Sequence, residues 1–335
     1  MQADAENLTS FKYKLPIKLN FAGDVREVTW VDAQGLAFTE PFFEETIKRV
    51  KAEEPQRREF ITGIEPLLRF ANARHSLKPS GFIFHASRCG STVVANALRQ
   101  IEGSLVVAEP ALLNTVLRLC FLEGARSPEY HAFRQLLLQS AFSALGQPFK
   151  GNERRFFIKF SHWNFNSIAL LRKLFPAVPA LFLFRHPVEI MVSNLTTQGS
   201  LLKLPSSPDD SVILTGASLE EVERMGQEEF MARSLGRLFS LAATHADNLN
   251  LLDYSDLSLA KLLDIIRYFG IPNAEIPVDA LQRTLSLYSK DSSGTRSFVG
   301  DAAAKRAIAS PLTHEMAEQW AMPAYERLRQ LAVAG

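Results

Sequence analysis

Short runs of apolar residues alternate with amphipathic segments along most of this chain. Between residues 82 and 269 the apolar runs have the length of strands, and the segments between them carry apolar residues at helical spacing. Strands that are apolar throughout are typical of a parallel sheet with helices on both faces, so we expect an α/β fold. The pattern predicts strands at 82–85, 105–108, 155–160, 180–184 and 249–253, and helices at 91–102, 112–123, 130–145, 165–175, 187–197, 218–246 and 256–269.

Residues 1–78 lack this alternation. Strand candidates at 13–21 and 26–30 and helix candidates at 40–52 and 64–73 predict a small N-terminal α+β appendage of unassigned role. The sequence Lys-Pro-Ser-Gly at 78–81 interrupts both kinds of pattern, so we place a domain boundary there, with the main domain covering 79–335. Residues 198–217 are rich in turn formers and long for a connection, which predicts a mobile surface loop or lid.

The composition narrows the class of protein. The chain has 335 residues, 47% of them apolar and 22% charged, which is typical of a globular protein. A formal net charge of +1 gives no overall field for a nucleic acid or an anionic membrane, so we expect neither partner. No stretch has the length of a transmembrane helix, and the N-terminus lacks the apolar core of a signal peptide. With Cys89 and Cys120 as its only cysteines, the chain is expected to be a reduced, cytoplasmic protein.

The most informative segment is residues 81–98. The strand at 82–85 is followed by a turn of small and polar residues and then by a helix from residue 91. In that arrangement the N–H groups of the turn and of the first helical turn converge, and the helix dipole adds positive potential there. The segment predicts a P-loop-like parallel sheet flanked by helices, with an anion site formed by Ser87, Arg88, Cys89, Gly90, Ser91 and Thr92.

This loop departs from the pattern of the nucleotide triphosphatases. GxxxxGK[ST] requires a Lys directly after the second Gly, whereas Ser91 follows Gly90 here and the cation, Arg88, precedes that Gly by two residues. Cys89 beside Arg88 at a helix N-terminus also suggests a nucleophile. Because no Cys–His–Asn signature surrounds it, we assign Cys89 a packing role.

A second segment repeats this design. The apolar strand at 180–184 is followed by Arg185 and then by Pro187, at the first position of a helix that carries Ser193. A guanidinium at a strand exit can bind a phosphate through two hydrogen bonds, although Glu189, one helical turn on, is an alternative partner for Arg185. Because both loops follow strands of one sheet, they predict neighbouring sites for a ligand with two phosphate groups.

Together these segments resemble the sulfotransferases that use 3′-phosphoadenosine 5′-phosphosulfate (PAPS). Residues 87–92, Ser-Arg-Cys-Gly-Ser-Thr, are similar to the family's first motif, with Arg in place of the Lys of other branches. Residues 184–187, Phe-Arg-His-Pro, followed by Ser193, are similar to the second motif, with His186 where Asp or Asn is commoner. Residues 254–257, Tyr-Ser-Asp-Leu, are similar to the end of a later strand, so the resemblance covers about residues 80–260.

The resemblance implies a donor, a reaction and a role for each loop. The first loop, with Arg88, would bind the 5′-phosphosulfate, and Arg185 with Ser193 would bind the 3′-phosphate. The chain would transfer a sulfuryl group from PAPS, as co-substrate, to a hydroxyl or amine of a small-molecule or carbohydrate acceptor. Many members close the 3′-phosphate site with Arg-Lys-Gly, which this sequence lacks. Arg296, or else the pair Lys305-Arg306, is the candidate here.

Transfer to a hydroxyl needs a group that accepts the proton of the acceptor. Glu109 follows the strand 105–108, in a region where carbohydrate-type members often place a Glu, but an acid there also suits a helix N-terminus. His162 lies one residue after the position of a His in the cytosolic small-molecule branch. On a strand this shift turns His162 to the other face, so we prefer Glu109 as the base. Lys159, near a strand exit, is a candidate second cation on the phosphosulfate.

Two other classes of protein stay open at this level. A kinase that uses ATP and magnesium is disfavoured by the missing Gly-Lys-Ser/Thr and by the lack of a clear metal-binding Asp at a strand end. A non-catalytic nucleotide-binding or interaction protein would lack a base and would use residues 1–78 as its interaction module. We expect no metal, because the loop already holds the leaving phosphate and no His, Cys or carboxylate cluster has ligand spacing.

Overall fold

A computed structural model of the protein describes residues 10–22, 25–57, 59–118, 127–197, 199, 201, 208–286 and 302–334. The strands within these ranges, in chain order, are β1 (Lys14–Ala22), β2 (Val25–Asp32), β3 (Glu59–Gly63), β4 (Pro79–His85), β5 (Ser104–Ala108), β6 (Arg155–Lys159), β7 (Ala180–Phe184) and β8 (Asn250–Asp253). They form an antiparallel sheet in the order β1–β2–β3 and a parallel sheet in the order β5–β6–β4–β7–β8.

Helices make up most of the other described residues. In chain order they are α1 (Phe43–Glu53), α2 (Glu65–Leu68), α3 (Ser91–Arg99), α4 (Ala111–Arg118), α5 (Pro128–Leu145), α6 (Ile168–Leu174), α7 (Pro187–Thr197), α8 (Pro208–Thr215), α9 (Leu219–Arg224), α10 (Gln227–Thr244), α11 (Leu259–Tyr268), α12 (Val278–Ser286), α13 (Ala302–Ile308), α14 (Pro311–Trp320) and α15 (Met322–Ala334). Short 3₁₀-helices lie between them at Arg69–Asn72, His162–Ser167, Ala246–Asn248, Tyr254–Asp256 and Asn273–Glu275. None of the helices in the described ranges combines the length and the apolar character needed to span a bilayer.

The parallel sheet carries an apolar layer on each face, because successive side chains of a strand point to opposite sides. In β7, Ala180, Phe182 and Phe184 belong to one apolar cluster, and Leu181 and Leu183 belong to the other. Residues of α5, α7 and α10 complete the first cluster, and residues of α3 and α11 complete the second. The predicted α/β class, a parallel sheet flanked by helices, is confirmed.

The connections after β4 and β7 position the site. These two strands are neighbours, but α3, which follows β4, packs on one face of the sheet, whereas α7, which follows β7, packs on the other. Where neighbouring parallel strands send their connections to opposite faces, a crevice opens beyond their carboxyl ends. Both segments that the sequence indicated as anion sites begin at this crevice.

The N-terminal sheet packs against the main part of the molecule. Gln147, just after α5, donates from Nε2 to the carbonyl of Lys14 at 2.9 Å and accepts at Oε1 from the N–H of Tyr13 at 2.8 Å. Trp30 of β2 is fully buried, and its indole N–H donates to Thr62 Oγ1 at 2.9 Å. The buried apolar residues of this sheet belong to the cluster that covers the first face of the parallel sheet. The small α+β appendage is therefore present, and it shares an apolar layer with the domain that follows.

Part of the loop predicted at 198–217 is helical, so that prediction was wrong for Pro208–Thr215. Pro208 stands at the first position of α8, and Asp209 and Asp210 lie in its first turn, where acidic side chains complement the helix dipole. Asp210 is also buried and accepts a hydrogen bond from Arg118 Nε at 2.7 Å. Residues 198, 200 and 202–207 lie outside the described residues.

The single helix predicted over 218–246 is interrupted. Ser218 and Glu221 form a capping box that starts α9, and Ser218 N–H donates to the Glu221 carboxylate at 2.8 Å. Met225 and Gly226 then have extended backbones, which end α9 and begin α10. Strand β3 has no counterpart among the predicted strands, because exposed and partly buried residues alternate along it and leave no apolar run.

Gly236 of α10 provides a test of this packing. A Cβ at Gly236 would overlap the carbonyl oxygen of Trp320, and a backbone atom cannot rotate away. We expect Gly236→Ala to lower the free energy of unfolding by about 2–3 kcal/mol, as overpacking of a tight contact does. Gly226→Ala, at the N-cap of the same helix, meets no atom within 4 Å and should cost less than about 1 kcal/mol. Urea unfolding followed by circular dichroism measures both, and equal losses would contradict the close crossing.

Candidate functional site

A cavity of about 780 Å³ opens at the carboxyl ends of the parallel strands. Strands β4 to β8 each deliver a polar residue to this cavity, at or just after the last strand position: His85, Glu109, Lys159, Arg185 and Asp253. Of these five, Glu109, Lys159 and Arg185 are predicted site residues; the further predicted site residues that line the cavity are Ser87, Arg88, Cys89, Gly90, Ser91, Thr92 and Ser193. The structure thus brings the two predicted anion segments and the preferred base into one cavity.

The turn between β4 and α3 has an unusual backbone. Ser87 (φ 67°), Arg88 (φ 50°) and Gly90 (φ 84°) all adopt the left-handed region, which costs a non-glycine residue about 1–2 kcal/mol. The turn is held from the neighbouring strand, because Arg185 Nη1 donates to the carbonyl of Arg88 at 3.3 Å. Turns of this kind direct successive N–H groups to one side and form concavities that bind anions. Backbone strain that the surroundings maintain is a feature of functional sites.

Position 90 requires glycine for two reasons. Its φ is left-handed, and a Cβ there would lie 2.8 Å from Cδ2 of Tyr254. Tyr254, directly after β8, therefore packs against the turn, and its ring centre lies 4.3 Å from Cζ of Arg185. The segment 254–257 thus closes the turn from the β8 side.

The two predicted anion segments meet through their side chains. Arg88 Nε, from the turn after β4, donates to Ser193 Oγ, from the second turn of α7, at 2.8 Å. Arg185 also contacts the first segment, because its guanidinium donates to the carbonyl of Arg88. The segments therefore form one continuous cationic surface.

The alternative partner of Arg185 is also in place. Arg185 Nε donates to Glu189 Oε2 at 2.6 Å, and Arg306 Nη1 of α13 donates to Oε1 of the same carboxylate at 2.6 Å. Arg185 and Glu189 are both buried, so salt screens their ion pair little. Arg306 and Lys305 both line the cavity, whereas Arg296, the other candidate for closing the 3′-phosphate site, lies outside the described residues.

The charge of the cavity is positive. Its described lining includes six Lys and Arg side chains and three carboxylates. A cleft with this excess attracts a polyanion. Among the described residues, no group of three or more His, Cys, Asp and Glu side chains is placed to hold a metal ion.

Glu109 is turned back across the sheet edge. Its own φ is 57°, again left-handed, and its N–H donates to the carbonyl of Lys159 at 2.7 Å. The side chain consequently lies over β6, where Lys159 Nζ donates to Oε1. His85 Nε2 lies 3.4 Å from the same oxygen, and Ser161 Oγ donates to Oε2 at 3.4 Å.

This environment keeps Glu109 ionised. Burial opposes the charge, but the ammonium of Lys159 and the hydrogen bond with His85 outweigh it and hold the pKa of Glu109 well below its ordinary value of 4.5. Glu109 is therefore in the form that can accept a proton at neutral pH.

His162, the other candidate base, lies in the 3₁₀-helix after β6 and is buried. It does not belong to the described lining of the cavity, and its ring packs edge-on against Trp163, with centroids 4.8 Å apart. Burial, with the ammonium of Lys159 acting in the same direction, lowers the pKa of His162 to about 3, so it is neutral. His162, which lies one residue after the position of the His in the cytosolic small-molecule branch, therefore has its side chain behind the cavity wall.

The side chain of Cys89 belongs to the apolar cluster on the second face of the sheet. Its Sγ donates to the carbonyl of Leu183 at 3.2 Å, and burial raises the pKa of the thiol to about 11. A protonated, buried thiol packs and does not attack, which agrees with the packing role.

Several lining residues have no counterpart in the sequence prediction. Tyr325 and Arg329 of α15 line the β8 end, where Tyr325 Oη donates to the buried Asp253 Oδ2 at 2.8 Å. Phe42, just before α1, lines the opposite end, with Lys159 Nζ 5.0 Å from its ring centre. Nothing in the sequence near these residues links them to the loops. His85 did carry a signal, since it is a polar residue at the end of an apolar strand directly before the turn.

Comparisons with known proteins bear on the fold. No family model matches this chain, and no curated protein matches it. Among solved structures it is similar to a sulfotransferase from Alicyclobacillus acidocaldarius, with 15% identity, a TM-score of 0.47, and coverage of 76% of this chain and 96% of that one. It is also similar to the sulfotransferase domain from the curacin biosynthetic pathway, with 16% identity, a TM-score of 0.35, and coverage of 77% and 98%. Because these identities and TM-scores are low, we base the functional interpretation on the side chains of the cavity.

The ion pair between Lys159 and Glu109 makes a prediction about stability and pH. In the wild type the pKa of Glu109 is depressed, so the pair stabilises the fold above pH 4.5, and this contribution is lost as the pH falls through the depressed value. In Lys159→Met burial acts without the opposing ammonium, which raises the pKa of Glu109 and makes its ionised form unfavourable. We expect Lys159→Met to lower the free energy of unfolding by about 2–3 kcal/mol at pH 7 and by clearly less at pH 4.5.

Denaturant unfolding of both proteins at the two pH values measures this difference. Lys150→Met removes a lysine from an exposed position and should show no such pH dependence. A loss for Lys159→Met that is the same at both pH values would contradict the ion pair.

Proposed function

We propose that this chain is a sulfotransferase that transfers a sulfuryl group from PAPS to a hydroxyl of an acceptor. The observation that carries the proposal is the contact between Arg88 and Ser193, which joins two anion-binding segments beside an ionised carboxylate, Glu109, in one cavity. PAPS carries phosphate groups at two positions and a sulfuryl group on one of them. A donor of this shape needs two neighbouring cationic sites, and transfer to a hydroxyl needs a proton acceptor next to one of them.

The first segment is proposed to hold the phosphosulfate. The left-handed turn directs N–H groups into the cavity, the N-terminus of α3 adds its dipole, and Arg88 adds a full positive charge. The second segment, Arg185 and Ser193, is proposed to hold the 3′-phosphate. Arg306 of α13 lies on the same carboxylate as Arg185 and is our candidate for the additional cation at that phosphate.

In the proposed step the acceptor oxygen attacks sulfur in line with the bond to the 5′-phosphate. A new O–S bond forms, the S–O bond to the phosphate breaks, and its electron pair stays on the phosphate oxygen, which releases 3′-phosphoadenosine 5′-phosphate. As in phosphoryl transfer, positioning and charge stabilisation supply most of the catalysis, and here Arg88 and the N–H groups of the turn would supply them. The proton of the acceptor hydroxyl passes to Glu109.

Lys159 was expected as a second cation on the phosphosulfate, and that role stays a prediction. Its Nζ donates to Glu109 Oε1. We propose that it keeps the base ionised. A contact with the phosphosulfate would require Nζ to leave that carboxylate.

Binding of the product tests the donor class. We expect the protein to bind 3′-phosphoadenosine 5′-phosphate in preference to ATP–Mg in a calorimetric titration. Arg185→Ala should weaken this binding about 10- to 100-fold, since a charge-assisted contact contributes about 1.5–3 kcal/mol. Arg224→Ala, which removes an exposed arginine from α9, should leave the affinity unchanged. Preference for ATP–Mg would favour a kinase, and binding of neither nucleotide would favour a non-catalytic interaction protein.

Hydrolysis of the donor tests the catalytic assignment without a known acceptor. With water as the acceptor, PAPS should slowly yield 3′-phosphoadenosine 5′-phosphate, which chromatography detects. Arg88→Ala removes a cation that acts on the charge of the transition state, so its kcat should fall about 10²- to 10³-fold. A variant that bound the bisphosphate and kept the wild-type rate would show that Arg88 has no catalytic part.

A further inference from the structure

His85 lies between the turn after β4 and the carboxylate of Glu109. It is the last residue of β4, is 6% exposed and pairs with Leu183 of β7. Its Nδ1 accepts a hydrogen bond from the N–H of Ser87 at 3.0 Å. Since a neutral imidazole has one acceptor and one donor nitrogen, this bond assigns its proton to Nε2. Nε2, which carries that hydrogen, lies 3.4 Å from Glu109 Oε1, a contact longer than a regular hydrogen bond.

The two oxygens of Glu109 are held unequally. Oε1 faces both Lys159 Nζ and His85 Nε2, whereas Oε2 accepts from Ser161 Oγ at 3.4 Å. Oε2 is therefore the oxygen with more capacity to receive a proton. Because Lys159 reaches the carboxylate from β6 and His85 reaches it from β4, the two contacts together fix the rotation of the carboxylate, which the flexible Lys159 alone would not.

The same histidine is tied to the strained backbone of the donor turn. Ser87 donates to Nδ1 from a left-handed backbone conformation, with a φ of 67°. Arg88, which follows directly, donates to Ser193. A change in the turn would consequently be transmitted to Glu109 through the hydrogen bond from Ser87 to His85 and the 3.4 Å contact between His85 Nε2 and Glu109 Oε1.

We infer that His85 is a positioning residue for Glu109: it holds Oε1, directs Oε2 towards the acceptor and couples this alignment to the turn that would bind the donor. The inference rests on the proposed function of Glu109 as the base. His85 itself transfers no proton, because Nδ1 is engaged by Ser87 and Nε2 already carries hydrogen. The proton of the acceptor moves to Oε2 while His85 keeps its own.

Two substitutions separate the two contacts of His85. In His85→Asn the amide oxygen reaches the position of Nδ1 and can accept from Ser87, but no atom extends to Glu109. In His85→Gln the amide nitrogen reaches the position of Nε2 and can donate to Glu109, but the contact with Ser87 is lost. His131→Asn changes a histidine of α5 that does not belong to the described lining of the cavity and serves as a control.

Turnover is measured as release of 3′-phosphoadenosine 5′-phosphate from PAPS with water as the acceptor, and binding of the same product is measured by calorimetry. We expect His85→Asn to bind the product like the wild type while its kcat falls about 10- to 100-fold, the cost of a misplaced catalytic group. The acidic limb of its kcat profile should move to higher pH, because the contact that lowers the pKa of Glu109 is gone. His85→Gln should lose less of its rate than His85→Asn.

Two results would overturn the inference. One is a wild-type rate for His85→Asn. The other is an equal loss in both variants together with weaker product binding, which would mean that His85 supports only the turn.

A second measurement keeps the test independent of turnover. If the wild type neither binds the product nor consumes PAPS, the proposed function fails, while the contact of His85 with Glu109 can still be examined. Carbon NMR of protein labelled at the Glu carboxyl groups, with Glu109→Gln to assign the signal, reports the pKa of Glu109. His85→Asn should raise that pKa and His85→Gln should largely preserve it. No change in His85→Asn would overturn the contact itself.

Discussion

The cavity brings several cationic side chains close together, so its structure depends on how their mutual repulsion is offset. Arg185 contacts the carbonyl of Arg88, and Arg306 reaches the same wall from a helix late in the chain. Like charges in a partly buried site repel more strongly than they do in water, because less solvent screens them. The buried carboxylate of Glu189 is bonded to both Arg185 and Arg306, offsets this repulsion and fixes the guanidinium groups. The end of β7, helix α7 and helix α13 are therefore joined at one ionic contact.

The other carboxylates of the cavity are held differently, and this divides the cavity along the sheet edge. Glu109, at the β5 and β6 end, is bonded to an ammonium and faces an imidazole, so it stays charged and keeps one oxygen for chemistry. Asp253, at the β8 end, accepts from the hydroxyl group of the nearby Ser255 and from that of Tyr325, which anchors α15. We thus propose that the chemistry takes place at the β5 and β6 end, whereas the β8 end determines the shape of the cavity. The cationic surface lies between the two ends.

The sequence predicted the features of the fold that depend on residues close together in the chain. The strand at 180–184 and the helix at 187–197 have the predicted bounds, because an apolar run ends at Arg185 and Pro187 starts the next element. The turn after β4 and the place of Ser193 on the helix after β7 follow from similar local signals, whereas the positive φ of Ser87 and Arg88 does not. Phe42 and Tyr325 do not, since their places in the cavity come from how the N-terminal sheet and α15 pack on distant elements. The pairing of Lys159 with Glu109 likewise depends on the left-handed φ of Glu109, which no residue type near it requires.

The cavity draws one wall from Phe42, ahead of β4, and another from Tyr325 and Arg329, long after β8. During synthesis, the turn and its arginines leave the ribosome well before residues 302–334. At that stage Arg185 has Glu189, but Arg306 has not yet joined them, and the β8 side of the turn stands without α15. A nascent chain can therefore complete its sheet while its ligand cavity is still open on one side. The cavity is completed only after residues 302–334 have been synthesised, so folding of the sheet and completion of the cavity are separated in time by the order of the sequence itself.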